Sequence, residues 1–427
     1  MFHSFFPKPR LFFGSFVAWA LFCVIVWFAG GKGWLDSLSL GGLFGLEPPQ
    51  PLPEGADDAA KAAFTAAERS AMTFWYYQYL IACFFVFTAI WMILQGHRWN
   101  RWSVAGSSLI VFITWFQVQI DVMINDWFGR FYNTIQKALA KSNNIQPSEY
   151  YEHLWTFGTI ATVYIIVAAI NQFFVSHYVF RWRTAMNDFY MERWGRLRHI
   201  EGASQRIQED TQKFARIMEG LGSRFIDSVM TLLAFLPILW GLSVHVKELP
   251  IVGEISQGLV FVAILWALGG TVLLGVTGVA LPGLEFRNQR VEAAYRKELV
   301  LGEDHEKRAQ PPTVSELYDN VRRNYFRLFF HYLYFNVVRY TYLQLSVIVP
   351  YVALAPTIVA GTITLGVMQQ IVRAFGRVES SFQFLVHSWP TIVELISIYK
   401  RLAAFEATLN QEELSSIEHE TVEPGII

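Results

Sequence analysis

Charge is scarce in this sequence. Only 16% of its 427 residues are Asp, Glu, Lys or Arg, whereas 53% are apolar and 16% aromatic. Soluble globular chains carry about a quarter charged residues, so the deficit excludes disordered, collagenous and nucleic-acid-coating proteins and points to lipid as the solvent. Cysteine is nearly absent as well. Cys23 and Cys83 both lie in apolar runs, which leaves no disulfide framework and no zinc spacing. Catalytic motifs are missing too. The string nearest to a phosphate-binding loop, Gly30-Gly31-Lys32-Gly33, lacks the spaced first glycine and the hydroxyl residue that would hold magnesium, so the chain is not itself a P-loop ATPase. There is no HExxH or GxSxG, and the ten histidines form no spaced metal pair, so neither an enzyme nor a metal centre is expected. The net charge of -1 says nothing about partners.

What the sequence does have is long charge-poor runs. A helix crosses a bilayer in roughly 20 apolar residues, and seven runs reach that length: Leu11 to Gly31, Ser70 to His97, Trp102 to Ile120, His153 to Phe180, Ser228 to Val246, Ile255 to Leu284 and Tyr340 to Val372. The last is too long for one crossing and contains Pro350, Pro356 and Gly361, where a helix kinks or stops. It divides into a seventh span from about His331 to Pro356 and an eighth from near Gly361 to about Tyr399. The expected fold is therefore all-α and polytopic, with about eight transmembrane helices per subunit and both ends on one side.

Basic residues assign the sides, because cytoplasmic loops accumulate them. With both termini cytoplasmic, 24 of the 34 lysines and arginines fall in inner segments and seven in outer ones; Arg339, Arg373 and Arg377 remain within spans. A cleaved signal peptide is the other reading of the first run, which is long and aromatic and lacks a convincing small-residue cleavage site. Residues 32–70 then form an outer loop with the Pro-rich stretch EPPQPLPEGADD, followed by an Ala-rich short surface helix. The segment from Asn125 to His153 reads as a helix lying at the interface. The inner segments 181–224 and 285–327 are dense in both charges and read as helical extensions of spans four to seven into the cytoplasm. Residues 401–427 form a cytoplasmic tail.

The eighth span carries a polar stripe. Gln370, Arg373, Arg377, Ser380, Phe384, His387, Thr391 and Glu394 recur at steps of three and four, which places them on one helix face with only Phe384 apolar. A charge facing lipid costs several kcal/mol, so Arg373 and Arg377 are expected to line a wet cavity or a protein interface. Residues 380 to 394 fit either such a cavity or a solvated cytoplasmic face. Acids near the span ends, among them Asp121, Asp227, Glu219, Glu285, Glu292, Glu379 and Glu394, are either proton-exchanging groups or ordinary Arg-paired carboxylates. The histidines near span ends fit an interfacial role or a proton relay.

Several long strings resemble a known family. HYVFRWRTAMNDFYMERWGRLRHIEGASQRIQEDTQKFA (177–215), AFLPILWGLSVHVKELPIVG (234–253), LPGLEFRNQRVEAAYRKELVLGEDHEKRAQPPTVSELY (281–318) and NYFRLFFHYLYFN (324–336) are similar to the SbmA/BacA family of bacterial inner-membrane peptide transporters. So are MFHSFFPKPRLFF at the start and AGTITLGVMQQ and VELISIYKRL near the end, whereas the outer insert at about 45–70 does not align. QLSVIVPYVALAP (344–356) is closer to the BacA branch. The resemblance implies one transporter domain over residues 1–427, built as a homodimer like the membrane half of an ABC exporter but without an ATPase domain. It implies import of peptides, including antimicrobial, microcin-like and bleomycin-like compounds, with the proton as coupling ion and no other cofactor. A ladder of glutamates facing the cavity is carried over onto Glu201, Glu209, Glu219, Glu285, Glu292 and Glu298.

Three functions are weighed on this basis. The first is a proton-driven secondary transporter. The second is the membrane subunit of an ABC transporter whose ATPase is a separate chain, suggested by the charged inner segments, although the resemblance implies no such partner. The third is an envelope factor acting on very-long-chain fatty acids or lipids, suggested by the BacA-like stretch.

Overall fold

The computed structural model describes residues 1–49, 57–96, 98–140, 145–200, 203–246, 248–250, 253–255, 257–305 and 307–410. Among them the fold is all-α; the strands are a single two-residue antiparallel pair, Glu248–Leu249 with Gly253–Glu254. The long helices are α1 (Pro9–Ala29), α2 (Asp58–Leu94), α3 (Ser107–Leu139), α4 (Pro147–Met191), α5 (Ser223–Ser243), α6 (Gly258–Gly278), α7 (Leu281–Asp304), α8 (Pro311–Val359) and α9 (Leu365–Asn410). Seven helical stretches among the described residues are long and apolar enough to cross a membrane, and they coincide with the first seven expected spans. Helix α9 forms where the eighth was expected, but its charged and amide side chains keep it out of that apolar set.

Local chemistry sets the helix ends. The Asp57 carboxylate accepts the Ala60 amide at 2.7 Å and starts α2. The Ala-rich stretch is thus the first turns of the second span rather than a separate surface helix. Pro311 opens α8, at a position whose N–H would have no helical partner. Pro350 and Pro356 lie inside that helix without ending it; the break comes at Gly361, whose φ of +66° favours a residue without Cβ. The residues from Asn125 continue α3 to Leu139 in place of the expected interfacial helix. Helix α4 reaches Met191 and then gives way to a short helix, Trp194–Leu197, before the chain becomes helical again at Ala203. The extension after α4 is therefore interrupted, whereas α7 and α8 form a long helical pair over most of 281–327. Residues 50–56 of the Pro-rich linker and 411–427 of the expected tail lie outside the described residues; 401–410 belong to α9.

The chain divides into two compact units. One comprises residues 1–114, 169–219 and 399–427. Its core is aromatic: Phe5 stacks on Trp182 with ring centroids 5.8 Å apart, Phe214 meets Trp182 edge-on at 5.4 Å, and Trp27 of α1 and Trp75 of α2 are buried in one cluster with Leu35. The other comprises residues 115–168 and 220–398. Here Val118, Phe235, Leu239, Leu259, Ala263, Leu354, Ile371, Ala374, Phe375 and Val378 pack into one apolar cluster drawn from α3, α5, α6, α8 and α9. Large apolar side chains such as Phe28, Phe85, Ile93, Trp155, Phe173 and Val272 are exposed along the spans, as a lipid-facing surface requires.

Candidate functional site

In the second unit α9 shows two faces. Ile371, Ala374, Phe375 and Val378 enter the apolar cluster, while Gln370, Arg373 and Arg377 turn to α3. The approach is close because Gly129 and Gly366 lack side chains: a Cβ on Gly129 would overlap the Gln370 amide, and one on Gly366 would overlap the Gly129 carbonyl. Side chains of α3 also cap α9. Gln136 Oε1 accepts the Leu365 amide at 2.8 Å, and Asn133 Oδ1 accepts that of Gly366 at 3.0 Å.

That docking brings two arginines to one acid. Asp121 Oδ1 lies 2.5 Å from Arg377 Nη2 and 3.9 Å from Arg373 Nη2, and the Arg373 guanidinium also lies 4.8 Å from the centroid of the Phe128 ring. The arginines expected to line a cavity or an interface therefore have an anion within their own unit.

A second buried acid has no cation among the described residues. Glu379, on α9, is 6% exposed. Its Oε1 accepts from the Ser346 hydroxyl of α8 and, at 2.9 Å, from Gln383 Nε2. Gln383 Nε2 also donates to the Tyr342 hydroxyl at 3.0 Å, and Tyr342 donates to the Trp266 carbonyl of α6 at 3.3 Å. Trp266 Nε1 returns to Ser346 Oγ at 2.9 Å, closing a ring of hydrogen bonds across three helices. The Trp266 and Tyr342 rings stack at 5.3 Å, and Gly270 clears the space, since a Cβ there would overlap the Tyr342 ring. Among the described residues no Lys, Arg or His forms an ion pair with Glu379. The sequence holds only a faint sign of this site, a Glu and a Gln four residues apart, and Glu379 was not among the carried-over acids.

Those acids are dispersed. Glu201 lies outside the described residues. In the first unit, Glu209 pairs with Lys213 at 2.6 Å, and Glu219 accepts from Ser176 at 2.6 Å and from Gln172 at 3.3 Å. Both sit in π-helical turns, Arg206–Asp210 and Met218–Gly222, an irregularity common at functional sites. In the second unit, Glu285, Glu292 and Glu298 share α7, where a spacing of seven puts Glu285 and Glu292 on one face and leaves Glu298 on another. Glu285 accepts from the Tyr332 hydroxyl at 2.8 Å, whereas Glu298 pairs with Arg308 at 2.9 Å. Farther along α9, Ser380, His387 and Glu394 are exposed; the His387 ring lies 3.3 Å from Gln383 Oε1 and lines a cavity. The polar stripe is thus split between a helix contact at 370–377 and an open face beyond it.

Sequence comparison adds to this geometry. A family model described as SbmA/BacA-like matches residues 96–410. The inner membrane ABC transporter ATP-binding protein YddA of Escherichia coli is 24% identical over 338 residues, covering 73% of this chain and 58% of that protein. An uncharacterized ABC transporter ATP-binding protein of Synechocystis is 24% identical over 333 residues, with 73% and 47% covered. ABC transporter D family member 2 of Arabidopsis thaliana, a chloroplastic protein, is 24% identical over 251 residues, with 54% and 33% covered. The chain spans about half the length, or less, of these curated relatives.

Proposed function

The chain belongs to the SbmA/BacA-like family of membrane transporters, and from that premise we propose that it imports peptides across the bacterial inner membrane, driven by protons. One observation carries the coupling: Glu379 is a buried carboxyl with hydrogen-bond donors but no cation among the described residues. An ion-paired acid that takes up a proton strands its partner's charge. A carboxyl held by a hydroxyl and an amide changes state by turning from acceptor to donor, and the ring linking α6, α8 and α9 must then rearrange. Proton binding and helix movement are joined at that point, which is what alternating access requires. Of the carried-over acids, Glu219 and Glu285, held like Glu379 by neutral donors, are the further proton-carrying candidates, whereas Glu209 and Glu298 are ion-paired and rank below them. The working assembly is a homodimer with both termini cytoplasmic, and the apolar window of α4, only 6% buried within the chain, leaves room for a second copy as well as lipid.

The test is uptake of a labelled proline-rich peptide into proteoliposomes with an imposed proton gradient. The intact chain is expected to accumulate peptide, and a protonophore to abolish this. Glu379→Gln and Glu285→Gln are expected to fold yet not accumulate peptide. Uptake by Glu379→Gln at the unsubstituted rate removes that residue from the coupling path.

The likeness to ABC transporters supports a second reading, a membrane half that works with an ATPase on another chain. Co-purification of an ATPase together with vanadate-sensitive uptake would select it over the proton-driven reading.

A further inference from the structure

A cavity in the second unit is lined by neither Asp121 nor Glu379. It encloses about 740 Å³, within the range of small-molecule sites. Arg224 at the start of α5, Arg339 in α8 and His387 in α9 line it, and no Asp or Glu does. Neither arginine has an ion-pair partner among the described residues. Arg224 spends its Nε on the Gly220 carbonyl at 2.9 Å, and Arg339 Nε is buried with no hydrogen bond. The nearest acid identified is Glu285, one side chain behind the wall, where it accepts from the lining residue Tyr332.

The rest of the wall is apolar. Phe335 and Trp389 contribute rings, and α6 presents Gly275 and Gly278; the Phe335 ring packs on Gly278, whereas the space at Gly275 is a trough free of side chains. Gly275 has nothing within 4 Å of where its Cβ would stand. Trp389 and Val279 are exposed, so an apolar rim opens at the surface of a membrane protein. Cations without anions at the head of an apolar trough match an amphiphile with an anionic head. We infer that this cavity is a binding site for an anionic phospholipid, its phosphate between Arg224 and Arg339 and its acyl chain in the trough at Gly275. Basic pockets between membrane helices bind such headgroups. The inference does not depend on what the chain transports.

Native mass spectrometry of the purified full chain tests it, by titration with phosphatidylglycerol, phosphatidylcholine, inorganic phosphate and palmitate. Phosphatidylglycerol is expected to bind in preference to phosphatidylcholine, with affinity falling about fivefold for each arginine removed in Arg224→Gln and Arg339→Gln. Gly275→Leu fills the trough while keeping both arginines and suits a helix better than glycine. It is expected to abolish the preference in a folded protein, so misfolding of the arginine variants would not protect the idea. Equal binding of the two phospholipids, or an unchanged preference in Gly275→Leu, overturns the proposal. Displacement of phosphatidylglycerol by inorganic phosphate alone would mean a free-anion site, and displacement by palmitate alone a fatty-acid site; either outcome rejects the phospholipid.

Discussion

Replacing Asp121 by Asn tests the contact that positions α9. The Asp121 side chain is 11% exposed and those of Arg373 and Arg377 are 29% and 34%, so the acid is nearly dry and the two cations are partly wet. Breaking a fully buried ion pair costs about 3–5 kcal/mol, and surface pairs are worth at most about 1 kcal/mol. For this intermediate case Asp121→Asn should cost about 2–3 kcal/mol, because it takes from two adjacent guanidiniums the carboxylate they contact. Arg377→Met should cost about 1–2 kcal/mol, since Arg373, at 3.9 Å, can close on the freed carboxylate. In the double variant only Arg373 remains charged, resting over Phe128. The second substitution then removes an already orphaned charge, so the double loss should be about 1–2 kcal/mol smaller than the sum of the single losses. The assay is a double-mutant cycle on unfolding midpoints in mixed micelles with increasing denaturing detergent. Additivity within about 0.5 kcal/mol would show that the two groups do not act as a pair and refute the argument.

Two further outcomes are expected. Gly270→Ala and Gly275→Ala make the same change on α6 with opposite effect: the first drives a methyl into Tyr342 and should cost about 1–3 kcal/mol, whereas the second meets open space and should gain up to about 1 kcal/mol in helix propensity, both read as melting temperature. Glu209→Gln should change stability by less than about 0.5 kcal/mol, because its partner Lys213 is an exposed i,i+4 neighbour, and a larger loss would mean the carboxylate has a partner beyond its own helix.

The spans were legible because lipid imposes a crude rule, about 20 residues without charge. Leu11 to Gly31 became Pro9–Ala29, and the long run after Tyr340 divided at Gly361, near where its breakers pointed. Pro350 and Pro356 misled as stop signals, because a packed helix tolerates the lost N–H. The loops misled in the other direction: polarity after Asn125 reads as the end of a span, yet α3 continues because its polar residues are those that cap α9. Periodicity placed Gln370, Arg373 and Arg377 on one face, but the partner on that face, Asp121, is some 250 positions earlier in the chain and no local pattern links them. Glu379 stood out no further than as one span-end acid among several, for the same reason. Its donors and supports come from α6 and α8, so only the fold distinguishes it from an ordinary helix-end acid.

Partners, more than positions, sort the acids by what they can do. Asp121 has Arg373 and Arg377 within reach; Asp210, buried in the first unit, has Arg401 at 2.8 Å and Arg206 at 3.5 Å. In each unit α9 supplies an arginine, so these aspartates act as fasteners of that helix, and a proton on either would strand positive charge. Glu209 and Glu298 are tied to Lys213 and Arg308 in the same manner, though nearer water. Glu219, Glu285 and Glu379 differ in kind: their donors are Ser176 and Gln172, Tyr332, and Ser346 and Gln383, all neutral. If protons drive uptake, the acids that carry them should be those whose neutralisation leaves no cation behind. Glutamine at 219, 285 or 379 should therefore abolish gradient-driven accumulation, while Glu209→Gln and Glu298→Gln should keep at least half of it, all measured in proteoliposomes at matched protein density. The opposite ranking, with Glu209 and Glu298 essential and the three neutral-partnered acids dispensable, would overturn this assignment.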